Sequence, residues 1–193
     1  MLDNLYLVTS VNINEQIYTI RNKADWRIIL STLSMLQDAE LDDDTKSLSL
    51  FIMAFEEFSS YEDLLLHQNN LLELSEWFFR FICQFEEPNE AKLGANLYDW
   101  ETDFNLIIAP INRVINSEIR EMEYMHWWTF LGAFAEIGEC LFSTVVSIRS
   151  KQNKKQKLEK WEATFVKEHK HLFKKRVVND KATEEFLKKW GLK

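Results

Sequence analysis

Tyr98-Asp99-Trp100-Glu101-Thr102-Asp103 opens the stretch that decides the fold. An apolar run broken by Pro110 follows it, and then Met125-His126-Trp127-Trp128-Thr129-Phe130. Trp100, Phe104, Ile107, Ile108 and Ile111 recur at helical spacing, with Asp99 placed to cap the helix they form. Pro110 removes a backbone donor and is expected to kink or end that helix. Trp127, Phe130, Leu131 and Phe134 share one face of a second helix, with Trp128 and Ala135 beside it. Two adjacent indoles bury a large area and need their N–H groups paired or wet. Aromatic residues at this spacing predict a helical core, with His126 capping or bonding locally.

The rest of the composition agrees. A chain of 193 residues with 46% hydrophobic and 13% aromatic residues is long and apolar enough for a real core. Only 4 Gly and 2 Pro leave little room for many short strands. The net charge of -8 hides a split. Residues 151–193 carry 14 Lys/Arg against 6 Asp/Glu, a balance of +8, which leaves 9 against 25, or -16, for residues 1–150. The chain is therefore read as an acidic helical body over 1–150 and a basic helical extension over 151–193, packed on the body in one domain. Cys83 and Cys140 sit in apolar surroundings without CxxC spacing, which fits inert thiols in a reducing compartment. The start has no basic segment of a secretory signal, and no uncharged run is long enough to span a bilayer.

Working outward towards the N-terminus, residues 5–13 and 17–20 alternate across a polar turn at Asn14-Glu15, the pattern of a β-hairpin. The first helix is expected to start at Asn22 as N-cap, with Trp26, Ile29, Leu30, Leu33 and Leu36 on one face. Asp38, Glu40, Asp42, Asp43 and Asp44 lack the glycine and closing glutamate of a calcium loop; they suit the positive end of the next helix. That helix is read over 45–58 with Leu48, Phe51, Ile52 and Phe55 buried. Ser60 and Asp63 resemble a capping box opening the longest helix, to about Phe85. Its seam is Leu64, Leu71, Leu74, Phe78, Phe81 and Phe85, widened by Leu65, Leu72, Phe79 and Ile82, and His67 is a boundary histidine. Pro88 and Gly94 bracket a loop.

Towards the C-terminus, Gly138 marks a break before a helix holding Leu141, Phe142, Val145, Val146, Ile148 and Arg149. The basic stretch 151–176 carries a narrow apolar stripe of Leu158, Trp161, Phe165 and Leu172, an amphipathic helix that could pack on the body or bind a partner. A nucleic-acid platform is the poorest fit, since the body is acidic and the aromatics do not form a stacking surface. His169 and His171 lie two apart, on different faces, and do not form a metal pair. Residues 183–190 read as a last short helix presenting Phe186, Leu187 and Trp190.

Asp99 and Asp103, four apart, share a helix face, and with His126 they could be imagined as an acid–base or metal set. A capping aspartate beside a solvated acid accounts for the same residues, and no nucleophile or Gly-rich loop accompanies them.

Tyr98-Asp99-Trp100-Glu101-x-Asp103, then His126-Trp127-Trp128-x-Phe130, then Ile148-Arg149 resembles the "gene product fifteen" family of long-tailed phages and prophages of Gram-positive bacteria. Its members typically show Tyr-Asp-Phe-Glu-x-Asp, His-Trp-Trp-x-Phe, and an Ile-Arg ending the next helix. The hairpin and Asp25-Trp26-Arg27 are similar too, and the resemblance covers roughly residues 5–176. Trp100 stands where the family usually has Phe, and Pro110 interrupts a helix the family leaves whole.

The periodicities and caps along the chain predict a mainly α fold: a multi-helix bundle with a small N-terminal hairpin and a basic C-terminal amphipathic helix. The resemblance implies a tail assembly chaperone that binds the tape measure protein and assists tail-tube assembly. Such a chaperone has no enzymatic activity, cofactor, metal, nucleic acid or membrane partner, and it works in the host cytoplasm without staying in the mature virion. Self-association fits the same picture. The matched residues read as determinants of the fold, and Leu64, Leu71, Phe78, Phe186, Leu187 and Trp190 as candidate partner contacts. A structural tail protein, such as a completion or connector component, is the alternative. A metal-dependent enzyme at Asp99, Asp103 and His126 stands behind both.

Overall fold

The protein is represented by a computed structural model that describes residues 6–38, 40–85 and 97–173. Among these the fold is mainly helical, with one antiparallel hairpin. The described residues fall into two compact units: 6–38, 40–85 and 123–130 in the first, and 97–122 and 131–173 in the second.

The first unit opens with β1 (Ser10–Ile13) and β2 (Gln16–Thr19), paired in the register Val11 opposite Tyr18 and Ile13 opposite Gln16. Asn14 and Glu15 both have positive φ, 50° and 66°, the two-residue turn whose twist matches a hairpin. A lone hairpin is marginal in water, and this one is tied down. Ile20 bridges to Phe55, Glu56 donates its N–H to the Thr19 carbonyl, and the Glu57 carboxylate accepts the Thr19 N–H. Four helices follow: α1 (Trp26–Gln37), α2 (Asp43–Ala54), α3 (Tyr61–Leu66) and α4 (Leu71–Ile82). Their core is aromatic: Tyr18, Phe51, Phe55, Phe58, Phe78 and Phe81 are almost fully buried. Arg21 donates to the carbonyls of Ile52, Phe55 and Phe58, a cation on the negative end of α2.

Several expectations shift here. The cap of α1 is Asp25, whose carboxylate accepts the Arg27 N–H; Asn22 lies in a short 3-10 turn with φ 51°. Helix α2 starts earlier, with Asp42 as its cap, and ends at Ala54. Its inward positions are Lys46, Leu50, Phe51 and Ala54, whereas Leu48 is exposed and Ile52 half-buried. The Ser60–Asp63 capping box forms as read. The long helix beyond it is two, broken at residues 67–70. There His67 and Asn70 turn their side chains to the Tyr18 hydroxyl, at 3.0 and 2.8 Å, and Asn14 donates to the Asn70 amide oxygen. Polar side chains with tertiary partners of this kind compete with helical continuation. Leu65 and Leu72, placed on a widened seam by the periodicity, are consequently exposed. Cys83 is exposed as well, not enclosed by apolar neighbours.

The second unit holds α5 (Phe104–Ile115), α7 (Leu141–Asn153) and α8 (Lys160–Glu168), with a 3-10 turn at Lys170–Phe173. Helix α6 (Trp127–Ala135) has its first four residues in the first unit and the rest in the second. Ile107, Ile108, Ile111, Phe142, Val145 and Ile148 are buried in the second unit. Helix α5 begins at Phe104, later than a cap at Asp99 implies, and Pro110 neither ends it nor lies at its edge. Pro110 is buried between Ile107 and Ile111, so its ring adds to the apolar face while the lost N–H withdraws one helical bond. Gly138, φ 61°, lies in the break between α6 and α7, where a left-handed residue is needed. Cys140 takes the N-cap of α7, its sulfur accepting the Ser143 N–H.

The helix expected over 151–176 is also interrupted. Helix α7 ends at Asn153, Lys155 takes φ 54°, and the Glu162 carboxylate accepts the Glu159 N–H at the start of α8. The residue facing inward on α8 is Glu162, bonded to Lys151 at 2.6 Å; Trp161, expected on the buried stripe, is exposed. Lys151 holds the Glu162 carboxyl below its ordinary range and is itself raised by the same bond. No described helix is long and apolar enough to cross a membrane. Pro88, Gly94, Phe186, Leu187 and Trp190 lie outside the described residues.

Candidate functional site

In the first unit, the His126-Trp127-Trp128-x-Phe130 segment enters α6 alongside the start of α1. The Trp26 N–H donates to the Met125 carbonyl at 3.0 Å and the Trp127 N–H to the Ala24 carbonyl at 2.8 Å, a short antiparallel bridge. Asp25 sits under this bridge, 5% exposed, accepting from the Met125 N–H and paired with Arg27 at 2.9 Å. His126 uses both ring nitrogens: Nδ1 accepts the Trp128 N–H, and Nε2 lies 2.8 Å from the Val8 carbonyl. An acceptor at Nδ1 and a carbonyl at Nε2 require the neutral tautomer protonated on Nε2. Burial pushes the His126 pKa down, against the Val8 bond that raises it.

The two indoles do related work. Trp127 Nε1 donates to the Ile82 carbonyl and Trp128 Nε1 to the Phe81 carbonyl, each at 3.0 Å. The last carbonyls of a helix have no partner within it; at the end of α4 the Gln84 and Phe85 N–H groups meet the Phe81 and Arg80 carbonyls, and the indoles add a second donor to Phe81 and one to Ile82. Phe130 stacks between Trp26 at 5.0 Å and Trp127 at 5.5 Å, and Trp128 stacks on Phe81 at 5.5 Å. Periodicity marked these residues as core. It held no sign that their N–H groups reach the end of another helix, because that pairing joins positions 45 and 47 residues apart.

In the second unit, the Tyr98–Asp103 segment is a turn ahead of α5. Asp99 accepts from the Thr102 N–H and hydroxyl, and Asp103 accepts the Asp99 N–H, so the two acids brace one another's backbone. Tyr98 and Trp100 pack with Phe134 and Phe142, and burial raises the Tyr98 pKa. Asp103 is 4% exposed and receives Arg149 in a two-pronged pair: Nη1 to Oδ2 at 2.6 Å and Nη2 to Oδ1 at 3.0 Å. The same guanidinium donates to the Leu97 carbonyl at 3.0 Å and the Leu172 carbonyl at 2.5 Å. Arg149 thereby fastens α7 to the turn before α5 and to the 3-10 turn at 170–173. Its neighbour Ile148 is buried, while Glu101 is exposed.

Asp103, read from sequence as a solvated acid, is therefore the buried half of an ion pair. What the sequence lacked was Arg149 as its partner; the two signature residues stand 46 positions apart. Arg113, from α5, donates to the Ile137 carbonyl, and Arg120 holds the Glu118 carboxyl down to about 2 beside the end of α5. No group of three or more metal-ligating side chains occurs among the described residues. Of the residues read as partner contacts, Leu64 and Phe78 are enclosed in the first unit at 2% and 0% exposure, out of a partner's reach in this conformation. Leu71 is half-buried.

The family model described as "Bacteriophage Gp15 protein" matches residues 2–174. The chain belongs to the bacteriophage Gp15 family. All three signature segments lie inside the match, and in this Gp15 chain they converge on interior work: a histidine cap, two indoles donating to the end of α4, an aromatic cluster and a buried ion pair. No curated protein and no solved structure matches the Gp15 chain.

Proposed function

We propose that this Gp15 protein is a phage tail assembly chaperone that binds the tape measure protein and assists tail-tube subunits as they gather around it, without catalysing a reaction. The observation that carries this reading is the division of labour on the chain. The polar signature residues are spent on one another and on backbone, whereas Tyr6, Leu66, Leu72 and Trp161 leave large apolar side chains at the surface. Asp103 and His126 are engaged by Arg149, Val8 and Trp128, so an acid–base or metal set would first have to break the contacts that hold each unit. A long helical tape measure exposes apolar stripes until the tube encloses it, and such stripes suit helix-in-groove partners. The segment with Phe186, Leu187 and Trp190 is the candidate contact, and the chain works in the host cytoplasm.

Co-purification with the tape measure protein tests this. The wild-type chain is retained, and Phe186→Ala/Leu187→Ala/Trp190→Ala lowers retention; unchanged retention removes the tail segment from the contact. A structural tail component is the second reading, which the family also accommodates. Mass spectrometry of purified particles separates the two, since stoichiometric copies in the virion contradict a chaperone that leaves.

A further inference from the structure

The turn between α7 and α8 is an unneutralised basic corner. Lys154, Lys155, Lys157 and Lys160 are all exposed, and none forms an ion pair among the described residues. Beside them stands Trp161, 54% exposed, with its indole held in place by a 2.9 Å bond from Nε1 to Glu159. An indole held in one orientation with half its surface exposed is the kind of side chain that anchors an interface.

The chain carries a surface of the opposite kind. Between Ile28 and Phe79 there are 11 Asp/Glu and a single Lys or Arg, Lys46, which is 2% exposed. On α3, Tyr61 and Leu65 lie four apart on one face, and Leu66 beside them is 81% exposed. Leu72 is exposed in the first turn of α4, and Glu62, Glu73 and Glu76 are exposed on the same two helices. Arg80, exposed on α4 four positions after Glu76, bounds this acidic stretch and lies over the Phe85 ring at 5.8 Å. The apolar side chains among the acids before it suit an aromatic side chain flanked by lysines.

We propose that these two surfaces bind each other between copies: the Lys154–Trp161 corner of one chain docks on the α3–α4 face of a second copy. Trp161 enters between the exposed leucines, and the lysines face Glu62, Glu73 and Glu76. The two sides differ, so every chain offers one corner and one face, met reciprocally in a pair or in series along a row or ring. The contact does not depend on what the chain binds in the tail.

Sedimentation velocity of the full chain over a concentration series, at low and high salt, tests this. Wild type self-associates in low salt, and screening of the exposed charges weakens it by about tenfold or more in high salt. Lys155→Glu/Lys157→Glu/Lys160→Glu is monomeric alone, as is Glu62→Lys/Glu73→Lys/Glu76→Lys, and mixing the two restores association. Trp161→Ser or Leu66→Ser weakens wild-type association at both salts, which decides the matter should a triple variant not fold. A wild-type chain that stays monomeric in low salt overturns the proposal. So does association that survives either triple variant, or association indifferent to Trp161→Ser and Leu66→Ser.

Discussion

Replacing Arg149 by Met strips the second unit of its central fastener. Three partners lose their donor at once: the Asp103 carboxylate and the carbonyls of Leu97 and Leu172. The Asp103 side chain is only 5% exposed and the Arg149 side chain 19%, so water cannot fully replace the guanidinium. Breaking one side of such a pair costs about 3–5 kcal/mol, because a buried charge is left uncompensated. For a chain of this length that is roughly 6–20 °C of melting temperature, read by circular dichroism with a urea titration alongside. Arg149→Lys keeps the charge but loses the fork, and falls between wild type and Arg149→Met. Removing both partners, as Asp103→Leu/Arg149→Met, restores much of the loss, since apolar groups replace a buried pair at little net cost. A loss below about 1 kcal/mol for Arg149→Met, or a double variant as unstable as the sum of its parts, refutes the assignment of Asp103 and Arg149 as one interior unit.

Three further outcomes follow from the same geometry. The folded state holds His126 neutral with its pKa depressed by burial. Its contribution to stability is therefore present above the ordinary imidazole value of about 6.5 and lost as pH falls through the lower folded value; melting temperature against pH shows this drop, and His126→Gln flattens it. Trp127→Phe removes the indole donor to the Ile82 carbonyl and costs about 1–3 kcal/mol in urea titrations, whereas Trp128→Phe leaves the Phe81 carbonyl its Gln84 N–H and costs about 0.5–1.5 kcal/mol; an unchanged midpoint for Trp127→Phe contradicts the capping role. Pro110→Ala returns a backbone N–H to the interior of α5. It stabilises by about 1 kcal/mol, the lost burial of the ring offsetting part of a helix-interior penalty near 3 kcal/mol; a lower melting temperature shows that the ring's packing outweighs the missing bond.

Local chemistry explains what the sequence made legible. The hairpin, the Ser60–Asp63 box, the break around Gly138 and the aromatic character of α6 depend on neighbours within a few positions, where periodicity and capping patterns act. What escaped is tertiary. The break between α3 and α4 follows from Asn70 and His67 reaching the Tyr18 hydroxyl, 52 and 49 positions away. Trp161 reads as a stripe residue because the α7–α8 break at 154–159 is invisible to a helical wheel drawn through it. Membership of the Gp15 family is legible along the chain, and so is the local bond of His126. The roles of Asp103 and Trp127 rest on Arg149 and Ile82 as partners, which spacing along the chain does not encode.

The most direct measurement is the soluble fraction of the phage's own tape measure protein, expressed with and without this chain. A chaperone moves the tape measure protein from the pellet into solution, as a complex that carries both chains. A tape measure protein that remains in the pellet at every ratio of the two, while this chain alone stays in solution, contradicts the account.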